Sequence, residues 1–327
     1  MKKLNNSSIA SNAGRLVFTL LIGASLTACG GGGNSGNSSQ AVADTAAAAI
    51  STYSGNRDIA VLNSANTLKF ADVMLGTSDL NSIVGRAASN ETTADAYSGI
   101  LSIAHSLTNL ANTQRQKSNL ANRSVSGSEQ CARGGSYSGN GEVDDDGLGW
   151  ITYNLNNCVS DDGVTLNGQM TMYVDSDGLN NVSSYTLTFS QLSAMANGVT
   201  TIQTGNLRYY EVYPPNGVIR STLTIFSTNS NSSEEYLLDE VVTENGSSSD
   251  YVSGKIYISD EGYVTLNSSN DFSFITSTNL PLEGAMFMEG GSNSRARITN
   301  HSSISYTLDI DSDGDGVYES SQVRDVQ

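Results

Sequence analysis

The sequence predicts a mainly β protein with helices at its N-terminal end. The expected architecture is α+β, a large antiparallel curved sheet or partly open barrel with the helices packed against it. Three observations predict this. From residue 129 to 327, short runs of β-branched and aromatic residues alternate with turn dipeptides. Residues 41–128 instead carry helix formers and an apolar stripe at helical spacing. Only three prolines occur in 327 residues, so strands can run unbroken.

The strand pattern is explicit in places. Leu166, Gly168, Met170, Met172 and Val174 share one phase, as do Tyr185, Leu187 and Phe189. Leu223 with Ile225, Ile256 with Ile258, and Val264 with Leu266 continue the series. Ala285–Met288 and Ile304–Leu308 close it. The breaks fall at Asp146-Gly147, Asp162-Gly163, Asp177-Gly178, Asn216-Gly217, Asn245-Gly246, Glu261-Gly262 and Gly290-Gly291. Such dipeptides reach the positive φ angles of tight hairpin turns. The reading gives ten to twelve antiparallel strands, each with one dry and one wet side. Strands this numerous must curl, close or stack to hide the dry side, and a two-sheet sandwich is the alternative.

In the helical segment, Ala41–Ile50 is alanine-rich and favours helix strongly. Asn63 or Ser64 is placed to cap a second helix through Leu68, Ala71 and Leu75, which Gly76 would stop. A longer helix is expected from Thr92 or Thr93. Its apolar stripe is Ala96, Ile100, Ile103, Leu107 and Leu110. Gln114–Ser128 is polar and reads as a connector.

Residues 1–28 read as a leader rather than fold. Lys2, Lys3 and Arg15 precede an apolar run, Leu16–Leu26, that is too short to span a bilayer as a helix. That is the layout of a secretory signal peptide. Leu26-Thr27-Ala28-Cys29-Gly30 follows, and it resembles the lipobox of bacterial lipoproteins. The resemblance implies cleavage before Cys29, acylation of that cysteine with palmitate-type chains, and a membrane anchor. With Gly30 rather than aspartate after the cysteine, it implies the outer membrane. Residues 29–40 are mostly Gly, Ser and Asn and read as a flexible tether. Ten residues of this kind reach roughly 16–19 Å.

The charge narrows the partners. The chain carries a net charge of −17. Loss of the leader removes three cationic and no acidic residues, which leaves the mature body more acidic still. This argues against nucleic acid and against adsorption to anionic lipid. It suits divalent cations or a cationic partner, and the partner expected of the body is a protein or a glycan. Cys131 and Cys158 remain after Cys29 is spent, an even pair in an oxidising compartment, and are expected to be bonded.

The sharpest motif is Asp311-Ser312-Asp313-Gly314-Asp315-Gly316-Val317-Tyr318-Glu319. Alternate aspartates on a tight loop can converge on one hard cation, and calcium takes six to eight oxygens. Asp311, Asp313, Asp315, the Val317 carbonyl and Glu319 are the candidate Ca2+ ligands. The pattern follows an EF-hand loop to its ninth place. Gln322 then stands where the bidentate glutamate belongs, and a strand pattern precedes it in place of a helix.

No nucleophile motif stands out. Gly135-Ser136-Tyr137-Ser138-Gly139 has tyrosine where a catalytic serine would sit. The two histidines, His105 and His301, are too few for a histidine zinc site. With 33 acidic residues, a catalytic carboxylate pair is one alternative. A carrier of an apolar ligand on a concave sheet is another. The reading favoured is a non-enzymatic envelope or surface protein. The mature chain as a whole resembles uncharacterised lipoproteins of Gram-negative bacteria. The features that carry this are the lipobox and tether, Asn63-Ser64-Ala65-Asn66, Asn157-Cys158, Leu166-Asn167-Gly168, Gly262-Tyr263-Val264-Thr265 and the closing aspartate loop. That resemblance implies no activity.

Overall fold

The computed structural model describes residues 36–75, 123–131, 133–143, 148–159, 163–177, 182–196, 199–212, 218–230, 233–245, 250–275, 280–302 and 305–325. The leader, Cys29 and the expected helix from Thr92 with its His105 lie outside them.

Two helices come first, α1 (Gly36–Thr52) and α2 (Asn66–Leu75). Ten strands follow in a meander: β1 (Arg123–Gln130), β2 (Ser136–Val143), β3 (Gly149–Val159), β4 (Thr165–Asp177), β5 (Val182–Ala196), β6 (Val199–Val212), β7 (Val218–Asn229), β8 (Glu235–Asn245), β9 (Asp250–Ile258) and β10 (Gly262–Ser268). A small hairpin, β11 (Ser273–Ile275) and β12 (Leu280–Glu283), then leaves the sheet. The meander resumes with β13 (Ala285–Glu289), β14 (Arg295–Ser302), β15 (Ser305–Asp311) and β16 (Ser320–Asp325). Among the described residues the result is one antiparallel sheet of fourteen strands, with β1 and β16 at its two edges and no pairing that closes it. The expected curved sheet with helices is therefore what the chain forms.

Of the seven turn dipeptides named above, Glu261-Gly262 and Gly290-Gly291 lie wholly among the described residues, and both fall where consecutive antiparallel strands join. The strands outnumber the ten to twelve expected. β1 (RSVSGSEQ) and β2 (SYSGNGEV) are rich in Ser and Gly and lack an apolar alternation. An edge needs less of it, having one neighbour and much solvent. β1 consequently begins inside the stretch read as a connector. The helix α1 likewise begins at Gly36, inside the expected tether. Once the alanine run is helical, each added residue gains a hydrogen bond at little further entropic cost.

One face of the sheet carries the main core. Ile151, Tyr153, Met170, Met172, Leu187, Leu207, Leu223, Ile256, Val264, Ile298 and Leu308 are all buried in a single cluster that runs from β2 to β15. We call this the inner face. The alternate residues form the outer face. There Phe226, Leu237 and Tyr257 make a smaller cluster with Ala49 of α1 and Tyr53 just after it. The two helices therefore serve opposite faces: Phe70, Ala71, Val73 and Leu75 of α2 belong to the inner cluster.

Residues 53–65 carry the chain from one face to the other across the end of the sheet. The Asn56 N–H donates to the Ser259 carbonyl (2.8 Å), Tyr263 N–H to Asp58 (2.9 Å), Ala60 N–H to Tyr263 (2.8 Å) and Gly291 N–H to Ala60 (2.8 Å). The Leu62 N–H donates to Ser294 Oγ (2.8 Å). Asn63 then caps α2 as expected, its Oδ1 accepting from Ala65 N–H (2.8 Å) and Asn66 N–H (3.2 Å). Burial raises the Tyr306 hydroxyl to about 12, and Asp72 on α2 adds to the shift.

Bulges bend the sheet, and three of them share one construction. Asn157, Gln191 and Glu240 have φ of 47°, 53° and 50° and interrupt the ladders of β3, β5 and β8. In each, the displaced backbone N–H donates to a side chain on a neighbouring strand: Asn167 Oδ1 at 2.7 Å, Thr204 Oγ1 at 3.1 Å and Thr224 Oγ1 at 3.4 Å. Glycines sit where the strands approach most closely. A Cβ on Gly205 (φ +146°) would lie 2.1 Å from the Thr224 carbonyl oxygen, and one on Gly254 (φ +123°) 2.6 Å from that of Glu240. Bulges and glycine kinks of this kind supply curvature that a regular ladder does not.

Candidate metal centre

The aspartate loop joins β15 to β16 and is built outward from the sheet. Leu308 and Ile310 point to the inner core, so Asp309 and Asp311 lie on the outer face, where both are buried. Asp309 is tied down twice. Arg297 Nη2 donates to its Oδ2 at 2.8 Å, with Nε at 3.1 Å, and Ser321 Oγ donates to its Oδ1 at 2.6 Å. Arg297 also lies over the Tyr318 ring, 4.5 Å from its centroid. This fastens the far side of the loop to β14.

Asp311 organises the turn itself. Its Oδ1 accepts from Gly314 N–H (2.7 Å) and its Oδ2 from Gly316 N–H (3.0 Å). Asp315 N–H donates to Asp313 (3.2 Å) and Val317 N–H to Asp315 (2.7 Å). Ser312 N–H donates to Glu319 Oε2 (2.8 Å). Gly314 (φ +76°) lets the loop lie against the β13–β14 connection, where a Cβ would meet the Ser292 carbonyl oxygen at 2.6 Å.

The outcome is a convergence of four carboxylates. One oxygen from each of Asp311, Asp313, Asp315 and Glu319 lies within 4.8 Å of the others, with Asp311 buried and the rest exposed. Calcium binds oxygen at 2.3–2.6 Å, so oxygens on opposite sides of one ion lie roughly 5 Å apart. The cluster is therefore of a size that could hold such a metal ion. Of the five candidate ligands, four converge through side chains, and Val317 follows in the same loop with its side chain exposed. Gln322 lies in β16, opposite Leu308. The loop is flanked by strands, which separates it from the helix-flanked EF-hand. No protein-family model matches the chain, and its comparison with curated proteins and with solved structures finds no match.

Cys131 and Cys158 form a disulfide with Cα atoms 5.3 Å apart. The other sequence candidates are scattered. His301 is exposed at the end of β14, and Tyr137 of the Gly-Ser-Tyr-Ser-Gly stretch is buried in the core with its hydroxyl on Glu129 (3.2 Å). What the sequence reading missed was the fastening of the loop by Arg297, Asp309 and Ser321. Alternation of Arg297 with Ile298 and of Asp309 with Leu308 put both charges on one face, but only the strand register brings them together.

Proposed function

We propose that the chain is an exported bacterial lipoprotein, anchored to the outer membrane through lipid on Cys29. Its acidic sheet domain is a non-enzymatic envelope or surface module that meets a protein or glycan partner. Calcium held by Asp311, Asp313, Asp315, the Val317 carbonyl and Glu319 clamps the last hairpin. The observation that carries the anchor is Leu26-Thr27-Ala28-Cys29 directly after a short apolar run. The disulfide supports an oxidising compartment. For the ion, the support is the convergence of four carboxylates on one loop.

Growing expressing bacteria with a clickable palmitate analogue tests the anchor. Label is expected on the wild-type chain and lost in Cys29→Ser, whose leader also stays uncleaved at the lipoprotein site. An unlabelled wild-type chain would remove the anchor. A thermal melt of the unlipidated mature chain tests the ion. A ligand at a hundred times its Kd stabilises the native state by about 2.7 kcal/mol. Millimolar Ca2+ is therefore expected to raise Tm by several degrees over EDTA, with Asp313→Ala abolishing the shift. Because Asp313 is exposed, the variant retains the fold. Equal melting with Ca2+ and EDTA would remove calcium and leave an acidic turn.

A further inference from the structure

We propose that an outer-face patch beside α1, formed by Trp150, Tyr173, Arg208, Tyr210 and Arg220, docks on the phospholipid headgroups of the membrane that holds the lipid anchor. This inference rests on the lipoprotein reading above. It adds which side of the body faces the bilayer.

The placement of α1 comes first. Its C-terminal end packs on Phe226, Leu237 and Tyr257, with Tyr53 edge-on to Tyr257 at 5.6 Å. Nearer its start, the Val42 carbonyl accepts from Asn206 Nδ2 on β6 at 3.0 Å. The helix therefore runs N to C from β6 toward β9, and Gly36 lies roughly 9 Å beyond Val42 at 1.5 Å per residue. Seven Cα steps separate Gly36 from Cys29. Even fully extended they span no more than about 25 Å. A lipid on Cys29 thus keeps the start of α1, and the strands beneath it, close to the bilayer.

The chemistry of those strands is the second observation. The outer-face positions read, in register, Trp150 on β3, Tyr173 on β4, Thr186 on β5, Arg208 on β6 and Thr222 on β7. One row further out, Tyr210 pairs with Arg220. Trp150 is the chain's one tryptophan and is 36% exposed; Arg208 and Arg220 are exposed, and Tyr173 and Tyr210 half-buried. Arg208 has no carboxylate partner among the described residues, and Arg220 meets Glu244 only at 3.8 Å. Among the described residues of these rows, Glu142, opposite Trp150, is an exposed acid and Glu244 a half-buried one. Tryptophan and tyrosine settle at the headgroup level of bilayers because each has an apolar body and a polar tip. Arginine matches phosphate oxygens with two parallel donors. The strongly acidic body opposes free adsorption. A tether converts docking into an intramolecular step, so a weak patch suffices when its neighbour is held beside it.

The single tryptophan is the probe. The lipidated mature protein is added to phosphatidylethanolamine–phosphatidylglycerol vesicles, with and without a phospholipid carrying a headgroup-level quencher. Flotation with the vesicles is scored in parallel. Trp150 emission is expected to shift to the blue and to be lost to the quencher. Arg208→Glu/Arg220→Glu, both exposed sites, is expected to float equally but to keep its emission. Wild-type protein that floats without quenching would overturn the docking face while leaving the anchor intact. Equal quenching in the variant would overturn the role of the arginines. Failure to float, as expected of Cys29→Ser, would overturn the anchor and this inference with it.

Discussion

Phe70→Ala is expected to destabilise the protein by about 3–5 kcal/mol, the range for removing a fully buried aromatic ring. Phe70 is 0% exposed and sits in the inner cluster, beside Ala71 and close in sequence to Val73 and Leu75 of the same helix. The chain segment before it is bonded across the sheet end through Ser259, Tyr263 and Gly291, so α2 cannot follow a shrinking cavity inward without breaking those bonds. A site that relaxes poorly lies toward the costly end of the range. The adjacent Lys69→Ala is the control. Lys69 is exposed and pairs with Glu261 at the surface, an interaction that raises its pKa. Screening by water limits such pairs to less than about 1 kcal/mol. Urea denaturation of the two variants should therefore give a large loss for one residue and almost none for its neighbour. Similar small losses in both would show that α2 is peripheral to the inner core.

That helix also shows what the sequence makes legible. Asn63 as a cap and the buried positions Ala71 and Leu75 follow from local rules, because capping and helical spacing act within a few residues. The face α2 serves does not follow. It depends on where the crossing segment bonds, and those bonds join residues near 60 to residues near 260 and 290. The strands divide in the same way. Glu261-Gly262 and Gly290-Gly291 mark turns, whereas Asn167-Gly168 sits inside β4 beside a bulge. An Asn-Gly pair supplies positive φ for either purpose, and the neighbouring strand decides which. The aspartate loop was legible as a ligand set because its spacing is local. Its anchoring through Arg297 and Asp309 needed the register of β14 against β15. The Trp150–Tyr173–Arg208 row was invisible for the same reason, being a product of three registers.

The second large effect is expected at the opposite edge of the sheet. Replacing Cys131 and Cys158 together by serine is expected to cost about 3–4 kcal/mol, from release of a 27-residue loop in the unfolded chain. That corresponds to a fall in Tm of roughly 5–10 °C for a chain of this size. The bond closes a compact unit. After β1 the chain turns back through Gly134 and Gly135, and Cys131 N–H donates to the Gly135 carbonyl at 3.2 Å. Arg133 N–H donates to Val159 (3.2 Å) and Val159 N–H to Gly134 (2.9 Å), which lays the turn on the end of β3. Among the described residues, this turn and the β1–β2 and β2–β3 ladders hold the edge, since β1 has one neighbour and a polar sequence. Amide exchange under native conditions locates the loss. If β1 and β2 fold as one with the sheet, the serine variant exchanges faster everywhere and melts earlier in one transition. If the edge opens by itself, protection falls only in β1 and β2 while Tm scarcely moves. The burial of Tyr137 on β2 against Tyr153 on β3, rings 6.2 Å apart in the main core, favours the first outcome.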